Sequence, residues 1–264
     1  MMVNRYPASA VRFLPALAVW CVVAFSSSIG WAETLVQRNV DSRVTLAFHV
    51  SQSALQFWLP APWQVNPATK GPSAQANLFV TFIDQLISQD AEGKLIAGGT
   101  NRIVGLTVPA KNTDTGETAV MVIRLYTSSP DYVPGPYKNS ALASISREAS
   151  TKGGGLEPGS GTEIWKMRDN GGGEIAFRVE FQRGVPTRAK SEVKPRSAVD
   201  PSFYRIYRYE EGTDVVRSVA GEINRVRDYQ FNSTVQELQK LFDGSEQLIS
   251  IAIRPWYVRE VFLP

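Results

Sequence analysis

Apolar and polar residues alternate with a period of two along much of this chain. Between positions 174 and 181 every second residue is large and apolar, from Ile175 to Phe181, and the residues between them are small or charged. Successive side chains of a strand lie on opposite faces of a sheet, so this pattern predicts a strand with one buried face. Residues 163–168 precede it, and the turn sequence Asp-Asn-Gly-Gly-Gly joins the two segments. The pattern predicts a β-hairpin.

Similar segments, rich in β-branched and aromatic residues, recur through the chain. They predict strands at residues 44–50, 76–83, 102–110, 118–126, 203–209, 215–219, 225–231 and 248–253, and an extended segment at 141–145. Proline cannot donate a backbone hydrogen bond, so we expect Pro255 to end the last of these strands.

Helical signals are few. Residues 51–59 carry three apolar side chains that face one way, which suits one helical turn. A longer helix is predicted after Thr234, because Glu237 completes a capping-box pattern, an apolar stripe follows, and Gly244 supplies a stop. Many short strands and one good helix predict an α+β fold that is mainly antiparallel β.

The first part of the chain has a different pattern. Arg5 and Arg12 precede an apolar run at residues 13–25, and small residues follow it. These are the parts of a secretory signal peptide, and the run is shorter than the about 20 residues of a membrane-spanning helix. We expect residues 1–32 to be a signal peptide and 33–264 a single domain. The mature protein should lie in the periplasm or outside the cell, without an integral membrane segment.

Composition narrows the classes of function. Cys21 is the only cysteine and lies in the apolar run, so the mature protein should hold no disulfide, thiolate ligand or cysteine nucleophile. Without residues 1–32, 26 basic residues face 25 acidic ones, a net charge of +1. Near-neutral charge with both signs interspersed argues against a nucleic-acid partner.

Common catalytic and metal-binding patterns are missing from the sequence. His49 is the sole histidine, whereas zinc and iron sites usually draw on several His or Cys ligands, so we expect neither a metal nor another cofactor. Neither Ser140 nor Ser160 lies in the nucleophile elbow of a serine hydrolase. The tryptophans after residue 33 suit a core better than the sugar platforms of a glycan hydrolase, and no carboxylate pair stands out.

The stretch at residues 131–148 carries the candidate chemistry. Three prolines and Gly135 interrupt the preceding strand, so the backbone should turn before Tyr137 and Lys138 and then run extended. A lysine adds to a carbonyl only in its neutral form, which apolar burial or a neighbouring cation favours. Tyr137 offers apolar cover and Arg147 offers a cation, while a surface lysine in a proline-rich loop is the plain alternative.

From about residue 59 onward the chain resembles the acetoacetate decarboxylase-like superfamily. An early Leu-Pro segment and successive barrel strands of that family are similar to residues 59–63, 76–82, 105–109 and 122–126. Gly-Pro-Tyr-Lys at 135–138, followed by Ala-Ser-Ile at 143–145, resembles the family's Gly-x-Pro-Lys-Lys turn and the strand after it. In the family a lysine of this turn forms a Schiff base with a β-keto acid.

The resemblance implies a barrel or cone-like sheet around an apolar pocket for a small oxo-acid or apolar ligand. It implies that Lys138 is the Schiff-base nucleophile of a decarboxylase-like carbon–carbon lyase. We expect Tyr137, Arg147 and Glu148 to contact the ligand, although strand alternation lets at most one of Arg147 and Glu148 point inward.

Two departures from the family pattern support an alternative. Asn139 stands where the family has a second lysine, and no carboxylate lies near residues 102–103, where the family's acid falls. The alternative is a non-catalytic periplasmic ligand-binding protein that has lost the family's active site. The sequence leaves the oligomeric state open.

Overall fold

Strands account for most of the structure. The computed structural model describes residues 33–96, 99–153 and 159–264, so the predicted signal peptide lies outside the described residues. The described residues form 14 strands and one α-helix. All strand pairs are antiparallel except β5 with β6 and β5 with β10. The predicted class, α+β and mainly antiparallel β, is therefore confirmed.

The elements follow one another in this order. The strands are β1 Thr34–His49, β2 Trp63–Val65, β3 Leu78–Gln89, β4 Asn101–Asn112, β5 Thr118–Thr127, β6 Ser140–Lys152, β7 Ser160–Asp169, β8 Glu174–Gln182, β9 Thr187–Val193, β10 Arg196–Ser197, β11 Ile206–Ser218, β12 Ile223–Asn224, β13 Val226–Ser233 and β14 Gln247–Leu263. Helix α1 spans Gln52–Gln56, and 3-10 turns lie at Pro130–Tyr132 and Gln236–Leu238. None of the described helices has the length and apolar character needed to cross a membrane.

One continuous sheet contains all the strands. Its order is β12-β11-β14-β1-β3-β4-β5-β6-β7-β8-β13, while β2, β9 and β10 pair with β4, β11 and β5. The sheet curls on itself, because rings from distant strands meet. Phe82 on β3 stacks on Phe177 of β8 with the ring centroids 5.5 Å apart, and Trp165 of β7 lies 5.5 Å from Phe82. The side chains on this face, including Val44 and Leu46 of β1, form the main hydrophobic core.

The helix predicted after Thr234 is wrong. The chain forms only the 3-10 turn Gln236–Leu238 there. The Thr234 hydroxyl accepts a hydrogen bond from the backbone N–H of Glu174 at 2.9 Å, and the Glu237 carboxylate accepts from Arg124 at 2.6 and 2.7 Å. Both side chains of the predicted capping box therefore form hydrogen bonds with distant strands and do not cap a helix. In contrast, the short helical turn predicted within residues 51–59 is present as α1.

The last strand runs through Pro255, contrary to the prediction that this proline ends it. The register of β14 is irregular at this point against both neighbours: Arg254 and Tyr257 pair with β1 on either side of one shift, and the pairing with β11 shifts as well. A β-bulge leaves one residue out of the ladder, so the missing N–H of proline is not needed there. β14 can therefore continue through Pro255 as far as Leu263 and pair with β1 and β11 on both sides of the bulge.

Candidate functional site

A cavity of about 400 Å³ lies on the face of the sheet opposite the main core. Strand alternation separates the two faces: on β3, Thr81 and Ile83 line the cavity, whereas Val80 and Phe82 belong to the core. Strands β1, β3, β4, β5, β11 and β14 provide the wall, and the loops before β6 and around β10 cover it. One face of the sheet thus forms the packed core, and the opposite face lines the cavity.

Strand register places the polar residues of the cavity wall in rows. In one row Glu211 pairs with Tyr257, Tyr257 with Asp41, and Asp41 with Gln85. All four side chains belong to buried residues. The neighbouring row contains Arg259, two residues along β14 from Tyr257. Residues from four strands therefore meet on one surface.

Two arginines of the cavity wall are neutralised by carboxylates. Arg43 forms an ion pair with Asp41, and its guanidinium lies 3.5 Å from the ring centroid of Tyr257. Arg254 donates to Glu211 at 2.7 Å and to the Thr45 hydroxyl at 2.9 Å. These pairs satisfy buried charges and leave little net charge for a ligand.

Two other arginines, Arg205 and Arg259, line the cavity without a carboxylate partner among the described residues. The Arg205 Nε is buried and has no hydrogen-bond partner within that same part of the chain. The Arg259 guanidinium lies 4.4 Å from the ring centroid of Tyr207. If the Asn39 amide is turned so that its oxygen faces Arg259, it accepts bonds from Nη2 at 2.6 Å and Nε at 3.2 Å. An amide is neutral, so the Arg259 guanidinium has no described carboxylate in direct contact.

The electrostatics keep Arg259 charged. Burial acts to lower the pKa of Arg259, but attraction to Tyr207 and to the Asp41 carboxylate outweighs it, and the pKa is raised. Burial also raises the pKa of Tyr257 to about 12. The cavity therefore presents guanidinium groups and neutral phenols at neutral pH.

A pair of tyrosines lies beside these arginines. The hydroxyl oxygens of Tyr137 and Tyr207 are 2.6 Å apart, and Tyr137 packs edge-on against Phe203. Burial raises the pKa of Tyr137, as does Tyr207, while Arg205 and Arg259 act in the opposite direction. The phenols therefore offer hydrogen-bonding hydroxyls at the cationic end of the cavity.

Of the four side chains expected to form a site, only Tyr137 lines the large cavity. Lys138 follows it with a left-handed backbone, at φ +59°, and its side chain is 59% exposed. The Lys138 Nζ forms an ion pair with Asp200 at 2.9 Å. No lysine is found among the described residues that line the cavity. The structure thus places the Lys138 side chain at the protein surface.

Arg147 and Glu148 lie away from the cavity and on opposite sides of β6. Arg147 donates to Glu163 at 2.7 and 3.0 Å and to Asp84 at 3.1 Å. It lines a separate cavity of about 180 Å³. Glu148 is exposed. The arginine that strand alternation turns inward is therefore already surrounded by carboxylates.

Sequence reasoning missed Arg205, Tyr207 and Arg259 as site residues. The first two lie in the alternating stretch Phe-Tyr-Arg-Ile-Tyr-Arg-Tyr, where period-two spacing turns Arg205, Tyr207 and Tyr209 to one face. From the sequence alone this spacing predicts a strand, and it also indicates which three side chains share a face. Arg259 carries no local signal, because its place depends on β14 continuing past Pro255.

Metal-binding groups do not cluster in the described ranges. Within residues 33–96, 99–153 and 159–264, no group of three or more His, Cys, Asp or Glu side chains is arranged to hold a metal ion. His49 is exposed, and its Nδ1 lies 2.9 Å from the backbone oxygen of Gln75.

Comparison with known proteins identifies the fold. No protein-family model matches the sequence, and a search of curated proteins also found no match. Among solved structures, the enduracididine biosynthesis enzyme MppR complexed with pyruvate is similar at a TM-score of 0.57 and 10% identity, covering 89% of this chain and 91% of that one. An acetoacetate decarboxylase-like enzyme from Sphingomonas wittichii RW1 is similar at 0.55 and 10% identity, covering 91% and 98%. At this identity the likeness establishes the fold alone, and the chain has an acetoacetate decarboxylase-like fold, as the sequence resemblance predicted.

Proposed function

We propose that this protein binds a small organic carboxylate, such as an oxo-acid, in the large cavity without forming a covalent bond to it. The observation that carries the proposal is the pair Arg205 and Arg259, which faces the cavity with no carboxylate partner among the described residues. A guanidinium presents a fork of N–H donors that matches a carboxylate, and such bonds are strong where water is excluded. Tyr137 and Tyr207 add hydroxyls at the same end.

The rest of the cavity suits the carbon skeleton of such a ligand. Apolar side chains of β3, β4 and β5 also line it, namely Phe79, Ile83, Ile103, Val120 and Leu125. A volume of about 400 Å³ lies within the range of small-molecule sites, about 300–1,000 Å³. The similar fold of MppR has been solved with pyruvate, a small oxo-acid, which supports the same ligand class here.

The site geometry favours binding over Schiff-base catalysis. A Schiff base requires a lysine within bonding distance of the ligand carbonyl. The Lys138 side chain is exposed and paired with Asp200 outside the cavity, and the lining described here contains no other lysine. We therefore favour the non-catalytic ligand-binding protein over the decarboxylase-like lyase.

Calorimetric titration and borohydride trapping test this proposal together. Residues 33–264 would be titrated with pyruvate, acetoacetate and butyrate. The same mixtures would then be reduced with borohydride, and the mass of the intact protein would be measured by mass spectrometry. We expect saturable binding of at least one acid and no increase in protein mass. A reduced adduct that maps to Lys138 and is lost in Lys138→Ala would establish the lyase mechanism instead. Failure of all three acids to bind would overturn the proposed function.

We also propose that the protein works outside the cytoplasm. The support is the N-terminal sequence, in which two arginines, a short apolar run and small residues follow in the order of a signal peptide. Expression of the full chain in a Gram-negative bacterium should give a periplasmic product that begins at Glu33, as read by N-terminal sequencing. An uncleaved product in the cytoplasmic fraction would contradict export.

A further inference from the structure

Gln85 is an unpaired amide on the cavity wall. It is 2% exposed and lines the cavity from β3. Its Oε1 is buried without a hydrogen-bond partner, and its amide makes no side-chain hydrogen bond to any residue in the described ranges. Buried side-chain amides are nearly always hydrogen-bonded, so an amide left free beside a cavity indicates a group that the ligand supplies.

The amides nearest to Gln85 are satisfied. Gln37, which also lines the cavity, donates to Ser88 at 2.8 Å, and Asn101, the register partner of Gln85 on β4, donates to Thr127 at 3.0 Å. Gln85 therefore differs from its neighbours, although it lies on the same polar face of the sheet.

Asp41 provides a second free oxygen beside Gln85. One of its oxygens accepts from Arg43, whereas Oδ1 is buried without a partner among the described residues. Asp41 and Gln85 are register partners on adjacent strands, so their side chains lie next to each other, but Asp41 is fully buried and outside the cavity lining. The row that contains them adjoins the row of Arg259. A ligand held by Arg259 therefore extends past Gln85, which is the member of this pair that lines the cavity.

The chemistry of the pair selects the ligand group. An ammonium group would be repelled by Arg259, which forms no ion pair with a described residue, and a carbonyl can only accept a hydrogen bond, so it cannot bond to the free Gln85 Oε1. A hydroxyl both donates and accepts, so it matches the Gln85 amide whichever end faces the cavity. We propose that the ligand is a hydroxy acid, whose carboxylate binds Arg205 and Arg259 and whose hydroxyl binds Gln85. This inference rests on the carboxylate site of the proposed function.

Butyrate and its 2-, 3- and 4-hydroxy derivatives test this inference, because they differ only in the presence and place of one hydroxyl. Calorimetric titration of residues 33–264 should show that at least one hydroxybutyrate binds about tenfold more tightly than butyrate. In Gln85→Leu this advantage should fall to about twofold or less, with the affinity for butyrate retained. Gln85→Met gives a second test should the leucine variant not fold.

Gln89→Leu is the matched control. It removes the same type of side chain from the same strand, but Gln89 lies outside the cavity lining and donates to the backbone oxygen of Gly93 at 2.8 Å. The hydroxyl advantage should persist in this variant.

The outcomes separate this inference from the proposed function. If the hydroxybutyrates bind no better than butyrate, or if their advantage survives in Gln85→Leu and Gln85→Met, the hydroxyl assignment is overturned while the carboxylate site stands. If none of pyruvate, acetoacetate, butyrate and the hydroxybutyrates binds, the carboxylate site itself fails.

Discussion

Replacing Arg259 with methionine should weaken carboxylate binding by roughly 30-fold, because one hydrogen-bonded charge pair with the ligand contributes about 2 kcal/mol. Arg205→Met should have an effect of similar size. The double variant should show no measurable binding at millimolar ligand, since the remaining cavity wall offers no unpaired cation among the described residues.

The same substitutions should change the stability of the unliganded protein only slightly. Arg259 makes no ion pair with a described residue, and Asp41, whose attraction helps to raise the pKa of Arg259, keeps its own ion pair with Arg43 when the Arg259 guanidinium is removed. Methionine retains the apolar stem and adapts to irregular packing. We therefore expect the free energy of unfolding, from urea denaturation of the unliganded variant, to lie within about 1 kcal/mol of that of the parent protein.

Arg208→Met is the control for charge alone. Arg208 lies on β11 next to Tyr207, but its exposed side chain pairs with Glu33 and Glu192 outside the cavity. Calorimetric titration should give parental affinity for this variant. If Arg208→Met and Arg259→Met weakened binding equally, general attraction of anions to the protein surface, and not the cavity, would explain the binding.

Local patterns predict this fold well wherever one side of a strand is buried. The hairpin of β7 and β8, the C-terminal part of β1 and the α1 turn follow from residue spacing, whereas residues 34–43 of β1 and the short strand β2 were not predicted. The helix after Thr234 fails because Glu237 and Thr234 find partners on β5 and β8. Such partners are distant in sequence, and no local pattern encodes them.

The site is harder to predict from the sequence than the fold, because the pairing register of strands that are distant in sequence brings its residues together. Tyr137 could be singled out from the interrupted turn, and it does line the cavity. Arg259 and Gln85 become neighbours only because β1 pairs with β14 on one side and β3 on the other, with bulges that set the alignment. The surface position of Lys138 depends equally on the left-handed turn after Gly135.

Arg147→Met should lower the free energy of unfolding by about 3 kcal/mol, because it removes a cation that is only 15% exposed and lies between two carboxylates. Arg147 pairs with Glu163 at 2.7 Å and Asp84 at 3.1 Å. Burial acts to lower the pKa of Arg147, yet these two carboxylates raise it, so the guanidinium is strongly bound in place. Without it, Glu163 keeps only the indole N–H of Trp165, at 3.1 Å.

Arg102→Met provides the comparison for Arg147. Arg102 also pairs with Asp84 at 3.1 Å, but its side chain is 41% exposed, so its loss should change stability by less than about 1 kcal/mol. Urea denaturation would measure both variants. Adding Glu163→Gln to Arg147→Met should recover part of the lost stability, because the second substitution removes one uncompensated charge.

Carboxylate binding decides between the two roles of Arg147. If Arg147 is structural, the folded variant should bind carboxylates with parental affinity, because the large cavity lies on the opposite face of the sheet. If the variant is as stable as the parent protein but loses affinity for carboxylates, Arg147 contacts the ligand, as the sequence analysis predicted. The carboxylates of Glu163 and Asp84 on either side of its guanidinium favour the structural role, since a ligand anion would have to compete with them for the same N–H donors.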